Sequence, residues 1–156
     1  LGAVKETDTA VMGAAIHSFG SDEWGHEKNT IWDVFYNRKL SPQVGTGLMF
    51  LGSDKAQGDG KRSGFVARAQ LGELQSWKPG SQAFAMRYYY QPASTYVAHT
   101  MSGVADYMTG FRGWGTQYQY TLMPNVVMNL EYYNLRELSS GKPGRTLWGD
   151  VTYYFG

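Results

Sequence analysis

Apolar and polar residues alternate along most of this chain, in segments whose length is roughly ten residues. A β-strand sends successive side chains to opposite faces, so such alternation predicts strands with one apolar and one polar face. A tilted strand of roughly nine to eleven residues is also long enough to cross the core of a bilayer. The pattern predicts eight strands, at residues 9–19, 29–40, 44–52, 62–74, 81–91, 111–122, 126–138 and 146–155.

The connections between the predicted strands alternate between short and long. Three short connections each contain a proline suited to the corner of a turn, at Pro42, Pro79 and Pro124. Four longer and more polar connections lie at 20–28, 53–61, 92–110 and 139–145. Short turns on one rim and long loops on the other are typical of transmembrane β-barrels. With eight strands, both ends of the chain are expected on the short-turn rim, which would be periplasmic.

The two faces of the predicted strands differ in chemistry. Arg68, Arg87 and Glu131 fall opposite the aromatic residues of their strands. A charge midway along a strand costs roughly 2–4 kcal/mol when it faces lipid, so these side chains are expected to face an enclosed interior. The alternative is a soluble barrel or sandwich with the apolar face inward. Aromatic residues near strand ends are expected to form a belt at the membrane interface: Tyr36, Tyr88, Tyr120, Tyr153 and Phe155.

Several motifs in the C-terminal part of the chain are typical of one family when they occur together. They are His99-Thr-Met-Ser-Gly103, Gly110-Phe-Arg-Gly-Trp-Gly115, Tyr120-Thr-Leu122 with the turn after it, and a closing strand that ends on Phe155. Over residues 95–155 the chain resembles the C-terminal β-barrel region of outer-membrane porins that carry an S-layer-homology domain. The first part of the chain matches the family only in the alternation of apolar and polar residues that barrel strands share. Gly156 after the terminal Phe departs from the family pattern.

The resemblance implies a passive diffusion channel for ions and small hydrophilic solutes in the bacterial outer membrane, assembled as a homotrimer. It also implies an N-terminal domain that binds cell-wall polymer and tethers the membrane to the wall. Eight strands are fewer than the roughly 16 of a porin with an open lumen. We therefore expect residues 1–156 to be one all-β domain, an antiparallel transmembrane barrel that is either self-closed or the C-terminal half of a larger barrel. A self-closed barrel would be filled by side chains and would act as an anchor or adhesin without conduction.

The polar face supplies the candidate pore-lining residues, which carry both signs of charge. Acidic and basic groups facing each other across a pore tune its ion selectivity. The alternative is a set of ion pairs and amides that fills a narrow barrel and satisfies its own polar groups. The candidates are Asp33, Lys39, Arg68, Gln70, Arg87, Gln117, Gln119, Glu131 and Asp150.

The connection at 92–110 is too long for a simple connector. Residues 95–107 can form a short amphipathic helix that ends near Gly110. We expect this loop to act as a constriction or lid, through Tyr96, His99, Met101 and Asp106. The alternatives are a subunit interface and an ordinary surface loop.

The composition and the positions of the histidines exclude or disfavour several other functions. The absence of Cys excludes disulfides and thiolate chemistry, and a net charge of +1 gives no reason to expect nucleic acid. None of the three histidines has metal-ligand spacing with another. His17 adjoins Ser18, whereas a lipid-modifying barrel enzyme would use a His-x-Ser pair. We expect no enzyme activity, no cofactor and no metal, with outer-membrane lipid as the main partner; a small barrel enzyme acting on lipid is the third hypothesis.

Overall fold

The computed structural model describes residues 1–19, 29–56, 59–95 and 108–155, and within them the chain is all-β. Each of the eight predicted strands is confirmed, with boundaries that differ by at most a few residues. The strands are β1 (Gly2–Glu6), β2 (Ala10–Phe19), β3 (Asn29–Ser41), β4 (Val44–Ser53), β5 (Ser63–Gly72), β6 (Gln82–Gln91), β7 (Phe111–Met123), β8 (Val126–Glu137) and β9 (Pro143–Tyr153). No helix in these ranges is long and apolar enough to cross a membrane.

The first strand, β1, is an addition to the predicted set, so the count of eight was too low. β1 pairs with β2 from Gly2↔Ala15 to Glu6↔Val11, and the backbone of Leu1 exchanges hydrogen bonds of 2.9 and 2.7 Å with Ile16. Leu1 therefore lies toward the rim of long connections, whereas β9 ends at the rim of short turns. The expectation that both ends share the short-turn rim depended on the count of eight and does not hold for nine strands.

The nine strands form one sheet in sequence order, and every neighbouring pair is antiparallel. β1 and β9 are the two edges, and since eight antiparallel steps separate them they run in the same direction. The sheet is open in the part of the chain that the structure describes. The antiparallel all-β fold is thus as predicted.

The short turn between β7 and β8 illustrates how the sequence sets the register. Pro124 and Asn125 form the turn, and Asn125 has φ 63°. Asn tolerates this left-handed conformation better than most residues because its short side chain can hydrogen-bond locally. The turn fixes the pairing of the two strands, which runs through Thr121↔Val127 to Phe111↔Glu137 with one irregularity beside the turn.

As predicted, the charged candidates lie on one face of the sheet, opposite Tyr88 and Tyr132, but buried aromatic residues share the face of the charged ones. The face that carries Arg68, Arg87 and Glu131, here called the polar face, also holds a cluster of buried side chains, Tyr89, Phe111, Tyr133 and Leu135. The opposite face, here called the apolar face, is exposed. Its residues include Met12, Ile16, Trp32, Val34, Tyr36, Leu48, Phe50, Phe84, Met86, Tyr88, Leu130, Leu147, Val151 and Tyr153.

Candidate functional site

All nine candidate pore-lining residues lie on the polar face. The register connects them in rows across the sheet, one of which is Lys39, Gly45, Gln70, Ala85, Gln117, Glu131 and Trp148. A neighbouring row is Asn37, Gly47, Arg68, Arg87, Gly115, Tyr133 and Thr146. Alternation along each strand is sufficient to place the side chains on one face. Which of them meet depends on the pairing between strands.

A hydrogen-bond network joins β7, β8 and β9 on this face. The Gln117 side-chain amide donates to Asn129 Oδ1 at 2.9 Å and to Glu131 Oε1 at 3.1 Å. Asn129 Nδ2 donates in turn to Glu131 Oε1 at 3.0 Å and to Asp150 Oδ2 at 2.9 Å. We call Gln117, Asn129, Glu131 and Asp150 the acidic network. The amide groups lie between the two carboxylates and donate hydrogen bonds to both. Neither carboxylate therefore needs a cation as its partner.

Further donors complete the coordination of the two carboxylates. The Tyr133 hydroxyl donates to Glu131 Oε2. Trp148 Nε1 donates to Asp150 Oδ2 at 3.2 Å, and the Thr152 hydroxyl donates to Asp150 Oδ1 at 3.3 Å. Hydrogen bonds that end on a charged acceptor are stronger than those between neutral groups. These contacts therefore hold the carboxylates in fixed positions on the polar face.

The basic residues of the face lie next to this network, on β5 and β6. Arg68 and Arg87 are directly opposite each other in the pairing of the two strands. Arg87 Nη2 donates to Gln117 Oε1 at 3.0 Å, and Arg68 Nη2 donates to Gln70 Oε1. We call Arg68 and Arg87 the arginine pair. Gln117 thus contacts both the arginine pair and the acidic network.

The other candidates are more scattered. Asp33 on β3 lies 3.1 Å from His17 Nε2 on β2, a contact between two strands that the sequence did not suggest. Lys39 lines a cleft of about 400 Å³ at the short-turn rim, together with Arg68 and Gln70. Gln119 lies between Ala83 and Asn129 in the register. The structure brings together most of the candidates on β5–β9, places Lys39 in the cleft with Arg68 and Gln70, and leaves Asp33 beside His17.

The long connection after β6 begins on the polar face. A 3₁₀ turn, Ala93–Thr95, is buried there, and the side-chain amide of Asn29 donates to Ser94 O at 2.9 Å. The Ser94 hydroxyl donates to Lys61 O at 2.8 Å, and Asp59 Oδ2 accepts the Ala93 N–H at 3.0 Å. The predicted lid residues Tyr96, His99, Met101 and Asp106 lie outside the described residues, so their role stays a prediction.

The predicted interface aromatics lie on the apolar face or just beyond its end. Exposed fractions are 43% for Tyr36, 44% for Tyr88, 54% for Tyr153 and 90% for Phe155. The rings of Tyr153 and Phe155 make an edge contact with their centroids 4.7 Å apart, and Tyr120 stacks on Tyr118 at 6.5 Å. Their exposure is consistent with a belt, but the belt itself stays a prediction.

Sequence reasoning did not select Asn129 and Tyr133, although both contact Glu131. Each lies two residues from Glu131, the spacing that places side chains on the same face of a strand. That spacing was visible in the sequence, but a neutral amide and a phenol beside a carboxylate gave no distinctive signal. Asn129 is 9% exposed, which marks it as the buried centre of the network.

Comparison with known proteins adds no relative. A scan against models of protein families finds no match to this chain, and a search of curated proteins also finds none. Among the described residues, no group of three or more His, Asp or Glu side chains is placed to hold a metal ion. The features of this chain that bear on function are therefore the two faces of the sheet and the polar groups on one of them.

Proposed function

We propose that this chain forms part of the wall of an outer-membrane β-barrel porin, which allows passive diffusion of ions and small hydrophilic solutes. One observation carries the proposal: the exposed face of the sheet carries large apolar side chains, whereas the charged and amide candidates lie on the more buried face. Trp32 is 41% exposed, Phe50 49% and Met86 48%, whereas Asn129 on the other face is only 9% exposed. A sheet in water has the opposite arrangement, with its apolar face covered.

The extent of the apolar face supports lipid as its solvent. Exposed large apolar side chains occur on each strand from β2 to β9, and patches of this size are rare on soluble monomers. In a bilayer the same side chains contact acyl chains, and the aromatic residues near the rim of short turns lie at the headgroups. The short-turn rim, where β9 ends, would then face the periplasm.

The polar face supports an aqueous lumen. The arginine pair, Gln117 and the acidic network form a band of opposite charges across five strands. In a barrel of about 16 strands such a band would face water and tune ion selectivity. Further strands would complete the wall of the barrel. As in the porins that this chain resembles, the protein would form a trimer and would be tethered to the cell wall through a separate domain.

The second candidate is a small closed barrel that anchors or adheres without conducting. It is favoured by the completeness of the polar contacts, since no buried side-chain nitrogen or oxygen in the described residues lacks a hydrogen-bond partner. The cluster of Tyr89, Phe111, Tyr133 and Leu135 would fill such an interior near the long-connection rim. Both candidates place the apolar face in lipid.

Conductance separates the two candidates. We expect the complete protein in planar bilayers to produce stepwise currents on the nanosiemens scale of an open aqueous barrel (on the order of 1 nS). Membrane-inserted protein that produces no current would support the anchor. Protein that remains dissolved and monomeric without detergent would contradict both candidates.

Two methionines provide a matched test of the lipid-facing side. Met86 lies on the apolar face of β6, and Met49 lies on the polar face of β4. We expect Met86→Lys to lower the free energy of unfolding from liposomes by about 2–4 kcal/mol, because it brings a charge into lipid. Met49→Lys should cost clearly less. Equal tolerance of the two substitutions would contradict lipid contact at Met86.

A further inference from the structure

The arginine pair places two like charges side by side in the middle of the polar face. Arg68 and Arg87 are register partners on β5 and β6, and like charges directly opposite each other on adjacent strands repel. The residues that flank the pair in the same row are Gly47 on β4 and Gly115 on β7. Neither flanking position contributes a carboxylate to compensate the two guanidinium groups.

The hydrogen bonds recorded for the pair end on neutral acceptors. Arg68 donates to Gln70 and Arg87 to Gln117. In the described ranges the one ion pair within 4.0 Å joins His17 to Asp33, which are on other strands. The Glu131 carboxylate of the acidic network accepts from the amides of Gln117 and Asn129 and from the Tyr133 hydroxyl. The described part of the fold therefore holds two guanidinium groups together without a carboxylate against either.

The surroundings of the pair form a bounded and accessible site. The Asn37 side chain lies over Gly47 and the Tyr133 ring lies over Gly115, so an amide and an aromatic ring flank the two arginines. Arg68, Gln70 and Asn37 also line the 400 Å³ cleft that opens at the short-turn rim. The same cleft holds Lys39 and, at its turn end, the carboxylates of Glu6, Asp8 and Glu73. A solute in the cleft can thus reach Arg68, the member of the pair that lines it.

We propose that Arg68 and Arg87, with Asn37 beside them, bind a small oxyanion, either inorganic phosphate or the carboxylate or phosphate group of a solute. A guanidinium has five N–H donors in a planar fork that matches two oxygens of such a group. A bound anion would also relieve the repulsion between the two arginines. The binding itself is independent of conduction; its consequence for anion permeation rests on the proposed function.

The test measures binding of inorganic phosphate to the folded protein in detergent by calorimetry at low ionic strength. We expect Arg68→Gln and Arg87→Gln each to raise the dissociation constant by about tenfold, and the double variant to abolish saturable binding. The matched control is Arg145→Gln, which removes the same charge from the exposed β9 position paired with Asn134 on the other face. It should leave the constant unchanged.

Additional variants guard against loss of folding. Arg68→Lys keeps the charge and loses the planar fork, so its affinity should lie between those of the native protein and Arg68→Gln. Each variant is used only after its far-UV circular dichroism matches that of the native protein. Absence of saturable phosphate binding to the native protein, or equal binding by the native protein and the double variant, would overturn the proposal.

Currents distinguish failure of this site from failure of the porin proposal. If the native protein conducts chloride but calorimetry shows no saturable phosphate binding, the anion site is wrong and the porin stands. If phosphate binds with the expected variant pattern but no current is seen, the site stands and the conducting function is wrong. A solute carboxylate, tested with acetate, separates a general oxyanion site from one that requires phosphate.

Discussion

In the acidic network on β7–β9, Glu131 and Asp150 each accept hydrogen bonds from three side chains. In the arginine pair on β5 and β6, the guanidinium groups of Arg68 and Arg87 donate to the neutral side-chain amides of Gln70 and Gln117. The two regions lie on the same face and share Gln117, yet one supplies its own partners and the other leaves donors for a ligand. The difference indicates that the acidic network stabilises the sheet, whereas the arginine pair is where we propose that an anion binds.

The two glycines that flank the arginine pair give the sharpest test of this difference. A Cβ at Gly115 would come 2.6 Å from the Tyr133 ring, which is only 3% exposed and belongs to the packed cluster. We expect Gly115→Ala to lower the free energy of unfolding by about 1–3 kcal/mol, because the ring has no free space to move into. Urea titration of the protein in liposomes measures the change.

The matched variant is Gly47→Ala on the other side of the pair. Its Cβ would meet the end of the Asn37 side chain, which is exposed and can rotate away. We expect a change within about 0.5 kcal/mol. A loss at Gly47→Ala as large as that at Gly115→Ala would mean that the two regions are equally rigid.

Asn129 tests whether the acidic network depends on its central amide. Asn129→Leu preserves approximate size and removes the donors to Glu131 and Asp150. We expect a loss of about 1–3 kcal/mol in the free energy of unfolding, because the half-buried carboxylates of Glu131 and Asp150 each lose one donor. Gln70→Leu, beside Arg68, should cost less because its site is open to the cleft. The same urea titration compares them, and the reverse order would break the comparison.

Tyr133 tests a single donor of the acidic network, and its expected effect is smaller than those at Gly115 and Asn129. Tyr133→Phe removes one donor to Glu131 and keeps the ring in the cluster, so we expect a loss of about 0.5–1.5 kcal/mol. The control is Tyr118→Phe, which removes a hydrogen bond of 2.7 Å to Gln82 on the apolar face of β7 and β6. Since Tyr118 is the more exposed residue, its change should be smaller; equal effects would show that Glu131 needs no phenol donor.

Much of the fold was predictable because a strand period of two is a strong local signal. The alternation around Arg87 and Glu131 placed them opposite the aromatic residues, and prolines such as Pro124 marked the turns. β1 was missed because five residues are few for a period to be seen and Lys5 and Glu6 interrupt the apolar pattern. Pairing with β2, a contact that no local pattern encodes, is what defines this strand.

The candidate site was predictable as a set of residues on one face, but its connections were not. Gln117, Asn129 and Asp150 come from three strands, and their contact requires the registers of two pairings to agree. A shift of one residue would send each of these side chains to the other face. The register depends on turn geometry, as at Asn125, which the sequence indicated only as a turn.

The shared direction of β1 and β9 limits how this sheet can become a ring. A closed barrel in which every neighbouring pair of strands is antiparallel must contain an even number of strands. Nine is an odd number. A barrel closed from these strands alone would therefore pair β1 with β9 in parallel. A fully antiparallel barrel would instead need one, three or a larger odd number of additional strands between β1 and β9.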